Sequence, residues 1–154
     1  MTSSVITSDR IEKNVLLQAP RSRVWRALTN AEEFSSWFGV KLENGFVVGE
    51  HTTGNITNRG YEHIKFDALV ERIEPEEVFA FRWHPYPIDA EFDAAKEQRT
   101  LVEFRLAEEE GGTRLSVIES GFDRISAERR DLVFSMNSRG WASQMENIKR
   151  HVSG

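Results

Sequence analysis

The chain has 154 residues, which suits one domain of ordinary size and leaves no room for two. Its 20 lysine and arginine residues against 25 aspartates and glutamates give a formal charge of −5, which argues against nucleic acid or an anionic membrane as a partner, because both attract a basic surface. There is no cysteine, so disulfides, thiolate nucleophiles and Cys-ligated zinc are excluded.

The N-terminal segment, residues 1–9, is short and polar, and we expect a flexible lead-in there. It has neither the basic nor the apolar region of a secretory signal, and no later stretch approaches the ~20 apolar residues of a membrane span. We therefore expect a cytoplasmic protein with a single domain over residues 10–152.

The start of that domain predicts a strand followed by two short helices. From Arg10 to Gln18 apolar and polar residues alternate with one exception, as in a half-buried strand. Pro20 suits the first turn of a helix, where its missing N–H has no partner to lose. Asn30 is a favourable N-cap for a second helix, and Gly39 is typical of a helix end.

The middle of the chain predicts an antiparallel meander with one wet face and one face on the core, because short segments, several of which alternate apolar and polar residues, follow one another with turns between them. These segments are 46–48, 51–57, 64–71, 79–84, 100–106 and 115–117.

The end of the chain predicts one long amphipathic helix over residues 126–152. Its apolar stripe consists of Phe134, Trp141, Met145, Ile148 and Val152, which recur at helical spacing. Gly140 lies inside this segment and costs about 1 kcal/mol relative to alanine, so we expect a kink or a break near it.

Several short motifs occur in this order and spacing. They are Val24–Thr29 (VWRALT), Trp37–Gly39 (WFG), Gly112–Leu115 (GTRL), Glu119–Phe122 (ESGF), Asn137 and Gly140–Trp141. Together they resemble the family of homologues of the activator of the ninety-kilodalton heat-shock-protein ATPase, within the START-like superfamily. The resemblance covers roughly residues 10–152.

The resemblance and the order of elements imply an α+β protein with the helix-grip fold. In that fold a curved antiparallel sheet of about six to seven strands wraps around a long C-terminal helix, and two short helices follow the first strand. The family also implies a cavity between the sheet and the last helix. Because fold alone does not determine function, the residues near that cavity must be considered separately.

No motif in the sequence predicts a metal, a cofactor or a catalytic residue. The four histidines, His51, His63, His84 and His151, lack metal-binding spacing, and ordinary surface roles explain them. Nucleophile-elbow and phosphate-binding motifs are absent from the sequence.

Large aromatic side chains on the predicted core faces are the strongest functional signal, because rings in a curved sheet can line a pocket for an apolar or aromatic ligand. They can equally fill the space as plain core. The candidate cavity-lining residues are Trp37, Phe66, Phe81, Trp83, Phe104, Glu119, Asn137, Trp141 and Met145.

Glu119 is the most informative carboxylate, because the period of two places it on the same face as Leu115 and Val117. A buried carboxylate requires hydrogen-bond partners, so we predict that it points toward the cavity and accepts from a donor there. The alternative is that the strand ends at Ile118 and Glu119 is solvated near the rim, or that it pairs structurally with an arginine.

Three functions remain open from the sequence. The first is a module that binds a small apolar or aromatic molecule, the second is a co-chaperone-type module that binds a chaperone or another protein, and the third is a cyclase-like or hydrolase-like enzyme that uses Glu119. Both a monomer and a homodimer are compatible with the sequence.

Overall fold

The computed structural model describes residues 10–87 and 92–153, which form seven strands, three α-helices and a short 3₁₀ turn. The elements are β1 (Arg10–Leu17), α1 (Arg21–Thr29), α2 (Ala31–Phe38), β2 (Val40–Leu42), β3 (His51–Ile56), β4 (Lys65–Glu74), β5 (Val78–Trp83), β6 (Thr100–Glu109), β7 (Gly112–Ser120), the 3₁₀ turn (Phe122–Arg124) and α3 (Ala127–Ser153). The predicted lead-in lies outside the described residues.

All seven strands belong to one antiparallel sheet with the order β1-β7-β6-β5-β4-β3-β2. From β2 to β7 each strand pairs with the next one in sequence, which confirms the predicted meander. The first strand instead crosses to the far edge, where Arg10 lies opposite Ser120 and Leu17 lies opposite Thr113. The predicted α+β helix-grip fold is therefore confirmed.

The core lies between the inner face of the sheet and the helices. Phe66, Phe79, Phe81 and Phe104 are buried there. The strand pattern explains this burial, because every second side chain of β4 and β6 points to the same face. None of the helices in the described part of the chain is both long enough and apolar enough to cross a membrane.

The buried stripe of α3 differs from the predicted one at its start. Trp141, Met145, Ile148 and Val152 are buried as expected, but the stripe continues to Val133 rather than to Phe134. The ring of Phe134 is half-buried and packs against Phe122, with 5.2 Å between ring centroids. An ideal helix rotates by 100° per residue, so a position one residue off the stripe is only partly covered.

The break expected at Gly140 is wrong, because α3 is a continuous helix from Ala127 to Ser153. Packing of the flanking Val133 and Trp141 against the sheet outweighs the low helix propensity of one glycine. A Cβ atom added at Gly140 would meet nothing within 4 Å, so the helix surface faces open space there.

The strand predicted at residues 46–48 is also wrong. This segment is a loop in which Val47 and Val48 are 49% and 54% exposed, and the strand that pairs with β3 is Val40–Leu42 instead. β2 runs beside β3 with Leu42 opposite Gly54, where an added Cβ would lie 2.3 Å from the carbonyl oxygen of Lys41. The absence of a side chain at Gly54 therefore permits the close approach of the two paired strands.

Glu33 links α2 to the end of α3. Its carboxylate accepts hydrogen bonds from Arg23 (2.6 Å), Arg26 (2.7 Å) and His151 (2.9 Å). Partial burial alone would raise the pKa of Glu33, but hydrogen bonds from His151, Arg23 and Arg26 outweigh it and lower that pKa to about 2.

Substituting Glu33→Gln is expected to lower the free energy of unfolding by about 1 kcal/mol at pH 7, the upper end for a partly exposed ion-pair cluster. Because the pKa of Glu33 in the folded protein lies below its ordinary value of 4.5, this stabilisation is present above pH 4.5 and is lost as the pH falls toward 2. Urea unfolding between pH 7 and 2.5 measures it. The matched control is Glu32→Gln in the same helical turn, and equal effects of the two changes would contradict the assignment.

Candidate functional site

A pocket of about 950 Å³ lies between the sheet and the middle of α3. Its walls come from the end of α2, the segment before β4, the strands β4 and β5, the β5–β6 loop and α3. Asn58, Tyr61 and His63 line it and are exposed, so they form its mouth. The pocket volume lies within the range of small-molecule sites.

Aromatic rings form the inner wall of the pocket. Phe38, Phe66 and Trp83 line it and contact one another, with ring centroids 5.6 to 5.9 Å apart. Behind them Trp141 stacks on Trp83 with 5.6 Å between centroids. Edge and offset contacts of this kind hold the rings in fixed orientations, so this wall offers a rigid apolar surface.

The other side of the pocket is polar. Arg99 donates to the backbone carbonyls of Asp67 (2.9 Å) and Arg82 (3.2 Å), and the Asp67 carboxylate contacts His51 at 2.7 Å. His84 also lines this side, and burial, with the nearby charge of Arg99, lowers the pKa of its imidazole. These groups are held mainly by one another and by the ends of β4 and β5.

Glu119 is fully buried and accepts four hydrogen bonds. Oε1 accepts from Asn137 Nδ2 (2.9 Å) and Trp141 Nε1 (2.8 Å), and Oε2 accepts from Trp83 Nε1 (2.9 Å) and Thr100 Oγ1 (2.6 Å). Two donors at each oxygen fill the lone pairs of a carboxylate. The predicted hydrogen-bond donor is therefore present, and there are four such donors. The alternative of a solvated position at the rim is wrong, because Glu119 is fully buried.

The fold brings these donors together from three elements. Glu119 follows Leu115 and Val117 on the inner face of β7, and Thr100 and Trp83 come from the paired ends of β6 and β5. Asn137 and Trp141 are four residues apart on α3 and therefore share one helix face. The carboxylate thus joins the helix to the sheet.

Burial is the largest influence on Glu119 and raises its pKa, while hydrogen bonds from Thr100, Trp83, Trp141 and Asn137 act in the opposite direction. The carboxylate has donors around it but no cationic partner among the described contacts. Among the described residues, the groups that would stabilise its charged form are therefore neutral dipoles.

Asn137 lies between Glu119 and the pocket. It lines the large pocket and also a small adjoining one of about 100 Å³, whose other walls include Phe38, Trp83 and Trp141. One end of its amide is engaged by Glu119, as described above. Asn137 therefore contacts the buried carboxylate on one side and lines the pocket on the other.

The nine predicted site residues fall into three groups. Phe66, Trp83 and Asn137 line the large pocket, and Trp141 lines the small one. Glu119 lies behind this wall. The rest are buried in the core and are absent from the described lining of either pocket; they are Trp37, Phe81, Phe104 and Met145.

Sequence reasoning did not select Thr100, Phe38 or Arg99 as site residues. Thr100 had a usable signal, because it shares the phase of Val102 and Phe104 in β6 and so points inward. Phe38 is next to the selected Trp37, and the helix turns it rather than Trp37 toward the pocket. Arg99 lies in an irregular loop whose sequence carries no period.

Within residues 10–87 and 92–153 no group of three or more His, Asp or Glu side chains is arranged to hold a metal ion. The lining of the pocket consists of rings, amides and the Asp67–Arg99 side. Such a lining supports binding of an organic molecule through apolar contact and a few hydrogen bonds.

Residues 18–153 match the family model described as "Activator of Hsp90 ATPase homolog 1-like protein". No curated protein matches the chain by sequence. Among solved structures, the chain is similar to protein MLL2253 from Mesorhizobium loti, at 22% identity over 94% of this chain and 96% of that one, with a TM-score of 0.74. It is also similar to protein CV1439 from Chromobacterium violaceum, at 19% identity over 96% of this chain and 99% of that one, with a TM-score of 0.74.

The chain is also similar to the Aha1 dimer from Colwellia psychrerythraea, determined in solution. The identity is 16% over 93% of this chain and 95% of that one, and the TM-score is 0.70. At these identities the likeness concerns the fold.

Proposed function

This chain belongs to the activator of Hsp90 ATPase homolog 1-like family, and we propose that it is a small-molecule-binding module within that family. The proposed ligand is an apolar or aromatic compound that enters the pocket between the sheet and α3. The observation that carries this proposal is the pocket of about 950 Å³ with an aromatic inner wall.

The lining supports such a ligand energetically. Burying apolar area yields roughly 25 cal/mol per Å², and the fixed rings lose little side-chain entropy when they are covered. After the entropy cost of capture, micromolar affinity is a reasonable expectation. The polar side formed by Asp67, His84 and Arg99 would orient the compound rather than supply most of the affinity.

Catalysis by Glu119 is not part of the proposal. A general acid or base must reach the proton that it transfers, and both oxygens of Glu119 are already engaged by four donors behind the pocket wall. An enzyme reaction in the pocket would have to use other groups.

A protein-interaction module of co-chaperone type is the second candidate. The family description refers to an activator of a chaperone ATPase, and the adjacent Val47 and Val48 are half-exposed on a loop away from the pocket lining. Small exposed apolar patches can contribute to protein contacts. This function would depend on the outer surface and not on the pocket.

Gly140→Leu is expected to abolish binding of a neutral fluorescent probe such as N-phenyl-1-naphthylamine without destabilising the protein. Gly140 lines both pockets, and an added side chain would enter open space there. The change also replaces a poor helix former, so thermal stability should rise by about 1 kcal/mol, or roughly 2–4 °C.

Gly140→Ala is the matched control, because it gains the same helix propensity but adds only one methyl group. The alanine variant should bind the probe nearly as well as the parent. Equal binding by parent and leucine variant, or no binding by the parent, would contradict the proposed function and favour the outer-surface alternative.

A further inference from the structure

We propose that the pocket selects aromatic compounds that carry a hydrogen-bond donor, an O–H or N–H group, and that Asn137 provides the acceptor. This inference rests on the proposed function, since it names the chemical class of the ligand for the same pocket. It follows from the way in which Glu119 orients one amide.

The first step is the orientation of the Asn137 side chain. A carboxylate accepts hydrogen bonds, so the end of the amide that faces Glu119 must be the NH₂ group, which donates to Oε1 at 2.9 Å. The opposite end of a planar amide must then present its carbonyl oxygen, Oδ1, away from the carboxylate.

The neighbours of Glu119 reinforce this orientation. The indole N–H groups of Trp83 and Trp141 can only donate, which requires both carboxylate oxygens to accept. A flipped Asn137 would turn its carbonyl oxygen toward Oε1, and two acceptors cannot form a hydrogen bond. If Glu119 is protonated on Oε2, that O–H can donate a hydrogen bond to the hydroxyl oxygen of Thr100, and the hydrogen bond from Asn137 to Oε1 is unchanged. The amide therefore keeps its carbonyl end free when Glu119 is ionised and when the proton is on Oε2.

The second step is that Oδ1 of Asn137 is accessible. The atom has no hydrogen-bond partner among the described residues, and it is not one of the buried polar atoms that lack one. Since Asn137 lines both the large and the small pocket, the carbonyl contributes an unused acceptor to their shared wall.

A second amide on the same helix shows the contrast. Gln144 also lines both pockets, but its NH₂ group donates to the carbonyl of Phe38 (2.9 Å) and its oxygen accepts from Asn147 (3.0 Å). Gln144 thus uses both ends to hold the structure, whereas Asn137 uses one. On α3 the acceptor offered to a ligand is that of Asn137.

The third step is the chemistry of the ligand. The acceptor lies beside the rings of Phe38 and Trp83, so a compound packed on those rings brings its edge toward Asn137. An O–H or N–H group on the edge of the ligand would replace the hydrogen bond that the Asn137 carbonyl makes to water. A ligand without such a donor would leave the carbonyl unpaired. The buried carboxylate behind the amide adds to the preference by polarising it.

Isothermal titration calorimetry with two naphthalenes of closely similar shape tests the inference. 2-Naphthol has an O–H donor, and 2-methoxynaphthalene has only an acceptor. The parent protein should bind 2-naphthol about fivefold more tightly, the effect of one neutral hydrogen bond. Asn137→Leu should bind both with equal affinity.

Asn58→Leu is the matched control, since it makes the same change at an exposed asparagine at the mouth of the pocket. It should keep the fivefold preference. If Asn137→Leu does not fold, Asn137→Ala takes its place with the same expected loss of the preference, and equal affinities of the parent for the two compounds overturn the inference in any case.

The outcomes separate the two proposals. Equal affinities on the parent protein, or a preference that survives in Asn137→Leu, would overturn this inference and leave the proposed function standing. If the parent binds neither compound, the proposed function fails and the inference fails with it.

Discussion

Glu119→Ala is expected to lower the free energy of unfolding by about 3 kcal/mol, and the melting temperature by about 6–12 °C. The substitution leaves the donors of Trp83, Thr100, Asn137 and Trp141 without their acceptor. An unsatisfied buried donor costs roughly 1–3 kcal/mol. The N–H of Trp141 contributes most to this cost, because Trp141 is buried whereas Trp83 is partly exposed. Release of the buried charge offsets part of this cost.

The pH dependence of Glu119 is expected to have the opposite sign to that of Glu33. Burial raises the pKa of Glu119, so its contribution to stability is greatest below pH 4.5 and falls as the pH rises through the raised pKa of the folded state. The glutamine in Glu119→Gln cannot ionise, so this variant does not lose stability as the pH rises through that pKa. The stability of the parent relative to Glu119→Gln should therefore decrease from pH 4.5 upward.

Chemical denaturation of the parent, Glu119→Ala and Glu119→Gln across this pH range measures both effects. Glu103→Ala is a suitable control, because it removes a carboxylate of the neighbouring strand that forms an ion pair with an exposed arginine. An alanine variant at position 119 that is as stable as the parent would show that the four hydrogen bonds contribute nothing net.

Arg129→Ala is expected to lower the free energy of unfolding by at least as much, about 3–5 kcal/mol, because it leaves a buried carboxylate without its cation. Arg129 is 1% exposed and forms two hydrogen bonds with Glu97, at 2.7 and 3.2 Å. It also donates to the carbonyls of Pro85 and Tyr86 and lies over the ring of Phe92. It thus fastens the β5–β6 loop, part of the pocket wall, to the start of α3.

Two further variants make this prediction specific. Arg139→Ala removes an exposed arginine from the same helix and should cost less than about 0.5 kcal/mol. The double variant Arg129→Leu with Glu97→Leu removes both charges and should recover part of the lost stability, because apolar residues can replace a buried ion pair. Thermal denaturation compares the stability of these variants. If the double variant is less stable than Arg129→Ala, the loss of stability in Arg129→Ala does not arise from the unpaired charge of Glu97.

The period of two and the period of 3.6 explain why so much of the architecture could be predicted. Alternation from Phe66 to Val70 and along β7 identified the inner face of the sheet, and the same phase placed Glu119 inside before any partner was known. The spacing of Trp141, Met145 and Ile148 identified the face of α3 that meets it. These features depend only on neighbours along one element.

Features that depend on irregular backbone could not be predicted in the same way. The sequence showed Arg129 only as one of two adjacent basic residues, because its partner Glu97 lies in a loop without periodicity. The free space beside Gly140 depends on how rings from three elements pack, so the residues next to Gly140 in sequence do not predict it. The orientation of Asn137 follows from donors on β5, β6 and α3 together.

The position of β1 at the far edge of the sheet has a consequence for the order of events during synthesis. Strands β3 to β7 can each pair with a neighbour made just before, whereas Arg10 must wait for Ser120 to leave the ribosome. Until then Ile11 and Leu17 have no strand to pair with, although they are made before every other strand of the sheet. The contact that closes the sheet therefore carries the largest loop-closure entropy and becomes available only when β7 is complete.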